Sequence, residues 1–392
     1  MKIMLVIASL GGGGAERVAS GMANYWAERG LEISLLTMCG SPHSSCFDVH
    51  PKVLRHDLGA KPYCHSMPDQ RSLRLLLGML KGCSQAELSA FIPDFNRILA
   101  LREAIISLRS EAVISFIDVT NIRTLLATQG LGLPVIISEH CDPYHNNLGE
   151  AWEGLRRRSY PQAKCLTVLT EEAAPYFSGL MDGRVRVMPN PVAAAFRLAH
   201  NETGTRGERG RTLLAMGRLA YEKGFDLLLQ AFALIAGRQP DWCLQIWGEG
   251  ELRSQLEQRA YALGLTGRVQ FGGFTKRPFE VMRQADLFVV PSRCEGFSNV
   301  LAEAMACGLP VVSFDCPSGP RHIVRDGIDG VLVPPQDVHA LAATLERLMS
   351  DEAERRRLSA NARKSVERFA IEKVMNAWEQ LVTEPYAEAS RG

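Results

Sequence analysis

Short apolar runs alternate with helical segments along nearly the whole chain, and that alternation leaves few folds open. Residues 2–9, "KIMLVIAS", form a continuous apolar run, as a parallel strand buried on both faces requires. Val18, Met22, Tyr25 and Trp26 then recur at helical spacing, Gly30 stands where a helix-ending glycine belongs, and "EISLLTM" follows as the next strand. Strand, glycine loop, helix, strand is a βαβ unit, whose crossover is almost always right-handed. A helix near 93–109, "AVISFI", "PVIISEH", a helix near 150–160, "CLTVLT" and "VRVMPN" continue the pattern. Hydrophobic rhythm is then lost from about Pro191 to Arg211, as in a linker. It resumes with "TLLAMGRL", "WCLQIWG", "RVQFGG", "DLFVVPS", "PVVSFD" and "GVLVP".

This pattern predicts an α/β protein of two doubly wound, Rossmann-like domains. The expected boundaries are 1–193 for the first domain, 194–211 for the linker and 212–370 for the second. The terminal helix, 371–392, is expected to pack back on the first domain. Two such sheets imply a cleft, with ligands beyond the C-terminal ends of the strands.

Size and charge narrow the function classes. The 392 residues carry 44 Lys and Arg against 43 Asp and Glu, a net charge of +1, which gives no global reason to expect nucleic acid. The ten cysteines are scattered without a Cys-x-x-Cys pair, so neither disulfides nor a structural zinc is expected. "MKIMLVIASL" superficially resembles a signal-peptide core, but the apolar run is brief and passes into glycines and a helix, so it reads as a first strand. No stretch reaches the ~20 apolar residues of a membrane span. A cytoplasmic location is expected.

The chemistry-bearing residues fall just after strands. Gly11, Gly12, Gly13 and Gly14 lie between the first strand and first helix, where backbone N–H groups can approach an anion. A dinucleotide fingerprint fails here. Glu16 and Arg17 occupy the third-glycine positions, and the second strand ends "LLTMCG" without the acid that would bind a ribose. In "GRLAYEKG", Arg218 and Lys223 follow a strand, a fork and a point charge suited to a diphosphate. In "PSRCEGFSNVLAEAMACGLPVV", Glu295 sits in the turn after a strand, and Glu303 lies on a helix that stops at Gly308 before Pro310. Carboxylates can accept hydrogen bonds from vicinal hydroxyls, and the helix start favours a phosphate. Together these features describe a nucleotide-sugar site.

Residues 213–334 resemble the donor-binding half of retaining family 4 glycosyltransferases of the GT-B fold. The likeness rests on "GRLAYEKG", "GEG", the Glu-x7-Glu run "EGFSNVLAE", "AMACGLPVVSFDCPSGPRHIV" and "DGIDGVLVP"; the first half matches more loosely through "GGGGAERV", "AVISFID" and "ISEH". The resemblance implies that Arg218 and Lys223 neutralise the departing diphosphate, that Glu303 holds the ribose hydroxyls, and that Glu295 holds the transferred sugar. It implies backbone contacts from Phe297, Ser298 and Asn299, and places Gly248, Gly250, Gly273, Phe274 and Thr275 near the nucleoside. It sets His140 against the donor sugar and the backbone of Gly12, Gly13 and Gly14 against the diphosphate, some of these glycines adopting positive φ.

The same resemblance implies a UDP-sugar donor, a hexose or N-acetylhexosamine, with no metal and no other cofactor. Front-face attack and double displacement both stay open as routes to retention. The implied acceptor is a saccharide, expected to be linked to undecaprenyl diphosphate in O-antigen, capsule or N-glycan assembly. "RSLRLLLGMLKG" and "LRRRSYPQAK" mix basic residues with leucine, as for peripheral contact with the cytoplasmic face of the inner membrane. A nucleotide-sugar epimerase of similar shape and a non-catalytic sugar-nucleotide-binding subunit remain as alternatives.

Overall fold

The computed structural model describes residues 1–39, 46–60, 78, 82–198 and 211–385. Two units divide the chain: Met1–Pro189 with Met375–Gly392, and Asn190–Val374.

The first unit holds a sheet of β1 (Lys2–Ile7), β2 (Glu32–Thr37), β3 (Leu54–Asp57), β4 (Ala112–Phe116), β5 (Val135–Ser138), β6 (Cys165–Val168) and β7 (Val185–Val187). Its order is β3-β2-β1-β4-β5-β6-β7, and its strand pairs are parallel. Chain order reverses at β1 and β4, the place where open α/β sheets bind ligands. Every residue of β4 and β5 is buried, the reason these segments read as unbroken apolar runs. The edge strand β3, "LRHD", is half exposed. Its polar sequence carries no strand signal and suits an edge that must not pair with another chain.

The helix expected near 93–109 spans Gln85–Leu108. Its start is set by Ser84, whose Oγ accepts from Glu87 N at 3.2 Å while Glu87 carboxylate accepts from Ser84 N at 2.6 Å, a reciprocal cap.

The second unit holds β8 (Arg211–Met216), β9 (Trp242–Trp247), β10 (Val269–Gly273), β11 (Leu287–Val290), β12 (Val311–Phe314) and β13 (Val331–Val333), in the order β10-β9-β8-β11-β12-β13. Here the reversal falls at β8 and β11. The core beneath it joins Leu213, Leu244, Leu287 and Phe314 of the strands to Phe232, Leu345 and Leu358 of the covering helices. Residues 199–210 of the expected linker lie outside the described residues. Its first residues, Ala194–Leu198, form a short helix whose buried Phe196 meets Phe279 edge-on at 6.2 Å.

The last helix, Ile371–Thr383, buries Met375, Trp378 and Leu381. Within the first unit, Trp26 donates its indole N–H to Glu379 at 3.1 Å. Lys164 Nζ donates to the carbonyls of Leu381, Val382 and Glu384 at 2.6, 3.2 and 2.7 Å. A helix end leaves carbonyls without partners, and a cation there also complements the helix dipole.

Lys164→Met keeps the aliphatic stem but strips three carbonyls of their donor. Thermal or urea unfolding should show the first unit weakened by about 1–3 kcal/mol; an unchanged transition would contradict this anchoring.

Candidate functional site

The loops after β8 and β11 are tied together across the reversal point of the second sheet. Arg293 grips the first loop with a bidentate pair to Asp226, both contacts 2.8 Å, and donates to Tyr221 O at 2.7 Å. Its guanidinium also lies 4.0 Å from the centre of the Tyr221 ring, and its backbone N–H donates to Glu222 O at 2.8 Å. Gly224 has φ +65°, and a Cβ there would collide with the Pro291 carbonyl oxygen. Only glycine permits both the left-handed conformation and this approach.

Inside this brace Lys223 Nζ donates to Glu295 Oε1 at 2.9 Å, and Ser292 Oγ donates to the same oxygen at 2.6 Å. The Lys223 side chain is 25% exposed and that of Glu295 7%. Burial alone would lower the Lys223 pKa, but the Glu295 carboxylate, helped by Glu222 and Cys294, holds it above the ordinary lysine value. Gly319 completes the cradle, since a Cβ there would come within 2.7 Å of Glu295 Cβ. Arg218 pairs instead with Glu222 and keeps 68% of its side chain exposed, open to an incoming anion.

Phe297 is buried edge-on against Phe369 at 5.3 Å, which anchors the turn leading to the helix Asn299–Ala306. Ser298 stands at the N-cap of that helix without capping it. Its Oγ is buried with no hydrogen-bond partner among the described residues. Asn190 Nδ2 donates to Asn299 Oδ1 at 2.9 Å, fixing the first helical residue. Glu303 lies on the same helix, 4% exposed.

Gly248 and Gly250 owe their identity to backbone packing. Gly248 has φ +140°, and a Cβ there would strike the Gly217 carbonyl oxygen; at Gly250 it would strike the backbone of Leu219. The loops after β8 and β9 thereby lie against each other, with Leu219 N donating to Glu249 O at 2.9 Å. Beyond Gly273, with φ +75°, Phe274 and Thr275 line an open cleft of about 450 Å³ with Trp247, Gln245, Lys276 and Arg277. Phe274 is 48% exposed. An aromatic wall with a polar rim suits a flat ring with hydrogen-bonding edges.

In the first unit, pairing of Val6 with Ser115 and of Phe116 with Ser138 aligns the ends of β1, β4 and β5. The glycine loop, Ile117 and His140 therefore share one sheet edge. The expectation of positive φ in the glycine loop is corrected, because none of Gly11 to Gly14 adopts it. Gly13 is extended at φ −83°, ψ 167°, and the nearest atoms to a Cβ there belong to the Glu16 carboxylate. The strain sits elsewhere. Ile117, a β-branched residue, is held at φ +72°, ψ 140°, a conformation such residues rarely tolerate.

His140 packs against Phe116 at 5.5 Å, and burial lowers its pKa to about 4. The neighbouring Glu139 is pushed up to about 7, chiefly by burial; Arg156 opposes this and Asp118 adds to it. Tyr160 donates its hydroxyl to Glu139, and Arg156 lies 4.0 Å from that carboxylate.

The basic stripe expected in "LRRRSYPQAK" is half internal, with Arg156 and Lys164 buried and Arg157 and Arg158 exposed. Arg156 is 1% exposed and bound to Glu153, and Arg158 pairs with Glu87. Arg157 and Arg158 point outward, 72% and 44% exposed. The companion stretch "RSLRLLLGMLKG" lies, except for Gly78 and Gly82, outside the described residues. Among the described residues no helix is long and apolar enough to cross a membrane.

Sequence reading missed Asn190, Glu222, Asp226, Ser292, Arg293 and Gly319. All but Asp226 lie within quoted segments, but the contacts of Arg293 with Glu222 and Asp226, of Asn190 with Asn299 and of Gly319 with Glu295 span loops far apart in sequence.

Comparison with known proteins agrees with this geometry. Residues 199–365 match the family model described as glycosyl transferases group 1, and residues 13–191 match that of a glycosyl transferase 4-like domain. Over 385 residues, 98% of this chain and 99% of the relative, the chain is 29% identical to a GalNAc-alpha-(1->4)-GalNAc-alpha-(1->3)-diNAcBac-PP-undecaprenol alpha-1,4-N-acetyl-D-galactosaminyltransferase of Campylobacter jejuni. It is 36% identical over 228 residues to an exopolysaccharide phosphotransferase of Streptomyces coelicolor; that match covers 57% of this chain but only 24% of the relative. Among solved structures, Anabaena HepE in complex with UDP superposes with a TM-score of 0.74 at 18% identity, covering 98% of this chain and all of that one.

Glu139 supplies a pH test. The folded protein keeps its proton up to about pH 7, whereas an unfolded chain releases it near 4.5. This stability contribution is complete below about 4.5 and falls as pH rises towards 7, by on the order of 3 kcal/mol. Glu139→Gln should flatten that part of the stability–pH curve, measured by urea unfolding between pH 4.5 and 7.5; an unaltered slope would contradict the assignment.

Proposed function

This chain belongs to the group 1, 4-like glycosyltransferases built on the GT-B fold, and from that premise we propose that it moves a hexose or N-acetylhexosamine from a UDP-sugar to a saccharide acceptor with retention of anomeric configuration. The acceptor in this proposal is an undecaprenyl-diphosphate-linked glycan. Support comes from the Campylobacter relative, whose name specifies such an acceptor and which matches along nearly its whole length. The observation that carries the reading is the Lys223–Glu295 pair, an ammonium and a carboxylate 2.9 Å apart just before the helix Asn299–Ala306.

The chemistry follows from charge. As the bond from the anomeric carbon to the β-phosphate oxygen breaks, its electrons leave with UDP and positive charge grows on the sugar. Fixed cations and N–H groups aimed at that oxygen need no reorganisation at the moment of reaction. In this proposal Arg218 and Lys223 meet the diphosphate, exchanging contacts with Glu222 and Glu295 for contacts with phosphate oxygens. Backbone groups of Phe297, Ser298 and Asn299 complete the cradle, Glu303 accepts from the ribose hydroxyls, and Glu295 accepts from the sugar. Phe274 and Thr275 border the uracil. His140 and the backbone of Gly12, Gly13 and Gly14 serve the same transfer. The acceptor hydroxyl gains the sugar and loses its proton, and no metal ion takes part.

Incubation with a panel of UDP-sugars and synthetic lipid-diphosphate saccharides, with products analysed by NMR, tests the reaction directly. A retained anomeric configuration is expected; an inverted one, or isomerised donor without transfer, would contradict the proposal. Arg218→Ala and Lys223→Ala should each lower kcat about 10²- to 10³-fold while the fold survives, and near-normal turnover in either would remove that residue from the clamp.

A further inference from the structure

Ser138 and Thr167 face each other across the parallel pair β5 and β6, 1% and 0% exposed. Thr167 Oγ1 donates to Ser138 Oγ at 2.8 Å, and Ser138 Oγ lies 3.1 Å from His140 Nε2. The backbone around them is pinned. Ser138 O accepts from Ile117 N at 2.9 Å and from Asn121 Nδ2 at 3.0 Å, and Thr167 O accepts from Glu139 N at 2.9 Å.

Proton accounting fixes the direction of this chain. Each hydroxyl has one proton to give, and a buried donor without an acceptor is costly. Ser138 Oγ accepts from Thr167, so its own proton goes to its other neighbour, His140 Nε2. The angles at the two hydroxyls set Thr167 as the donor of that contact. An Nε2 that accepts carries no proton, and a neutral imidazole then carries its proton on Nδ1. The ring is neutral at ordinary pH, since burial lowers its pKa to about 4. His140 Nδ1 is itself buried and has no partner among the described residues. One orphaned N–H is thus left for a ligand.

We infer that Ser138, backed by Thr167, is a positioning residue that locks His140 as the Nδ1–H tautomer. The ring then presents a hydrogen-bond donor to a ligand oxygen such as a sugar hydroxyl, and has no lone pair at Nδ1 with which to act as a base. The identity of that ligand rests on the glycosyltransferase reading above; the tautomer does not.

Long-range ¹H–¹⁵N spectra of the ¹⁵N-histidine-labelled protein at pH 7.5, without substrate, test the inference. His140, assigned by its loss in His140→Gln, should show a protonated Nδ1 and a bare Nε2. A protonated Nε2 would overturn the proposal. Ser138→Ala should shift the ring towards the Nε2–H form and lower kcat roughly tenfold, the loss of one hydrogen bond's worth of selection, with donor KM little changed. Ser138→Thr, which keeps the hydroxyl, should restore both. A Ser138→Ala spectrum identical to wild type would also overturn the proposal. Should Ser138→Ala fail to fold, Thr167→Val reads the same relay: mixed tautomers are expected, and an unchanged ring would show that Thr167 plays no part. A protein with the Nδ1–H spectrum that transfers no sugar would leave this inference standing and sink the proposed function instead.

Discussion

Everything at the edge of the second sheet depends on keeping an ammonium and a carboxylate together in a mostly covered place. Lys223 and Glu295 come from loops 72 residues apart, and burying either alone would carry a heavy desolvation cost. Mutual attraction and the Ser292 hydroxyl hold the pair. The Arg293–Asp226 fork holds the loops on which it rides. Such a pair is poor evidence of stability, because an apolar replacement is often as stable. Its value lies in keeping a charged lysine poised where a more negative partner can claim it.

The glycines show what that arrangement requires of the backbone. Gly224, Gly248, Gly250 and Gly319 each mark a place where one loop lies so close to another that a single methyl group would collide. Four loops, those after β8, β9, β11 and β12, interlock by this means, leaving the chemical side chains little freedom of position. In the first unit the same role falls to strain, with Ile117 at positive φ hydrogen-bonded to the residue that reaches His140.

Much of this was legible in the sequence. Continuous apolar runs located β1, β4, β5, β11 and β12, because strands buried on both faces admit little else. The Glu-x7-Glu spacing put Glu295 in the turn before the helix and Glu303 on it. Polar β3 escaped because an edge strand needs no apolar alternation, and the reciprocal Ser84–Glu87 cap was present but passed over. The glycine loop was misjudged, since four glycines invite positive φ while none of them adopts it and Gly13 is extended. At Gly248 and Gly250 the backbone of Gly217 and Leu219 leaves no room for a Cβ, a constraint between loops that the sequence does not display. The Arg156 charge reads as part of a surface stripe although it is buried, held by nearby Glu153, and the tie of exposed Arg158 to Glu87 joins residues distant in sequence. Long-range pairing of this kind, including Asn190 with Asn299, leaves no local pattern to read.

An affinity ladder of uridine, UMP and UDP, measured calorimetrically on the wild-type protein and on Lys223→Ala, probes the poised ammonium most directly. Affinity should climb with each phosphate in the wild type, and Lys223→Ala should lose most of the gain from UMP to UDP while binding uridine as before. Equal UDP affinity in the two proteins, or no rise from uridine to UDP in the wild type, would contradict the account.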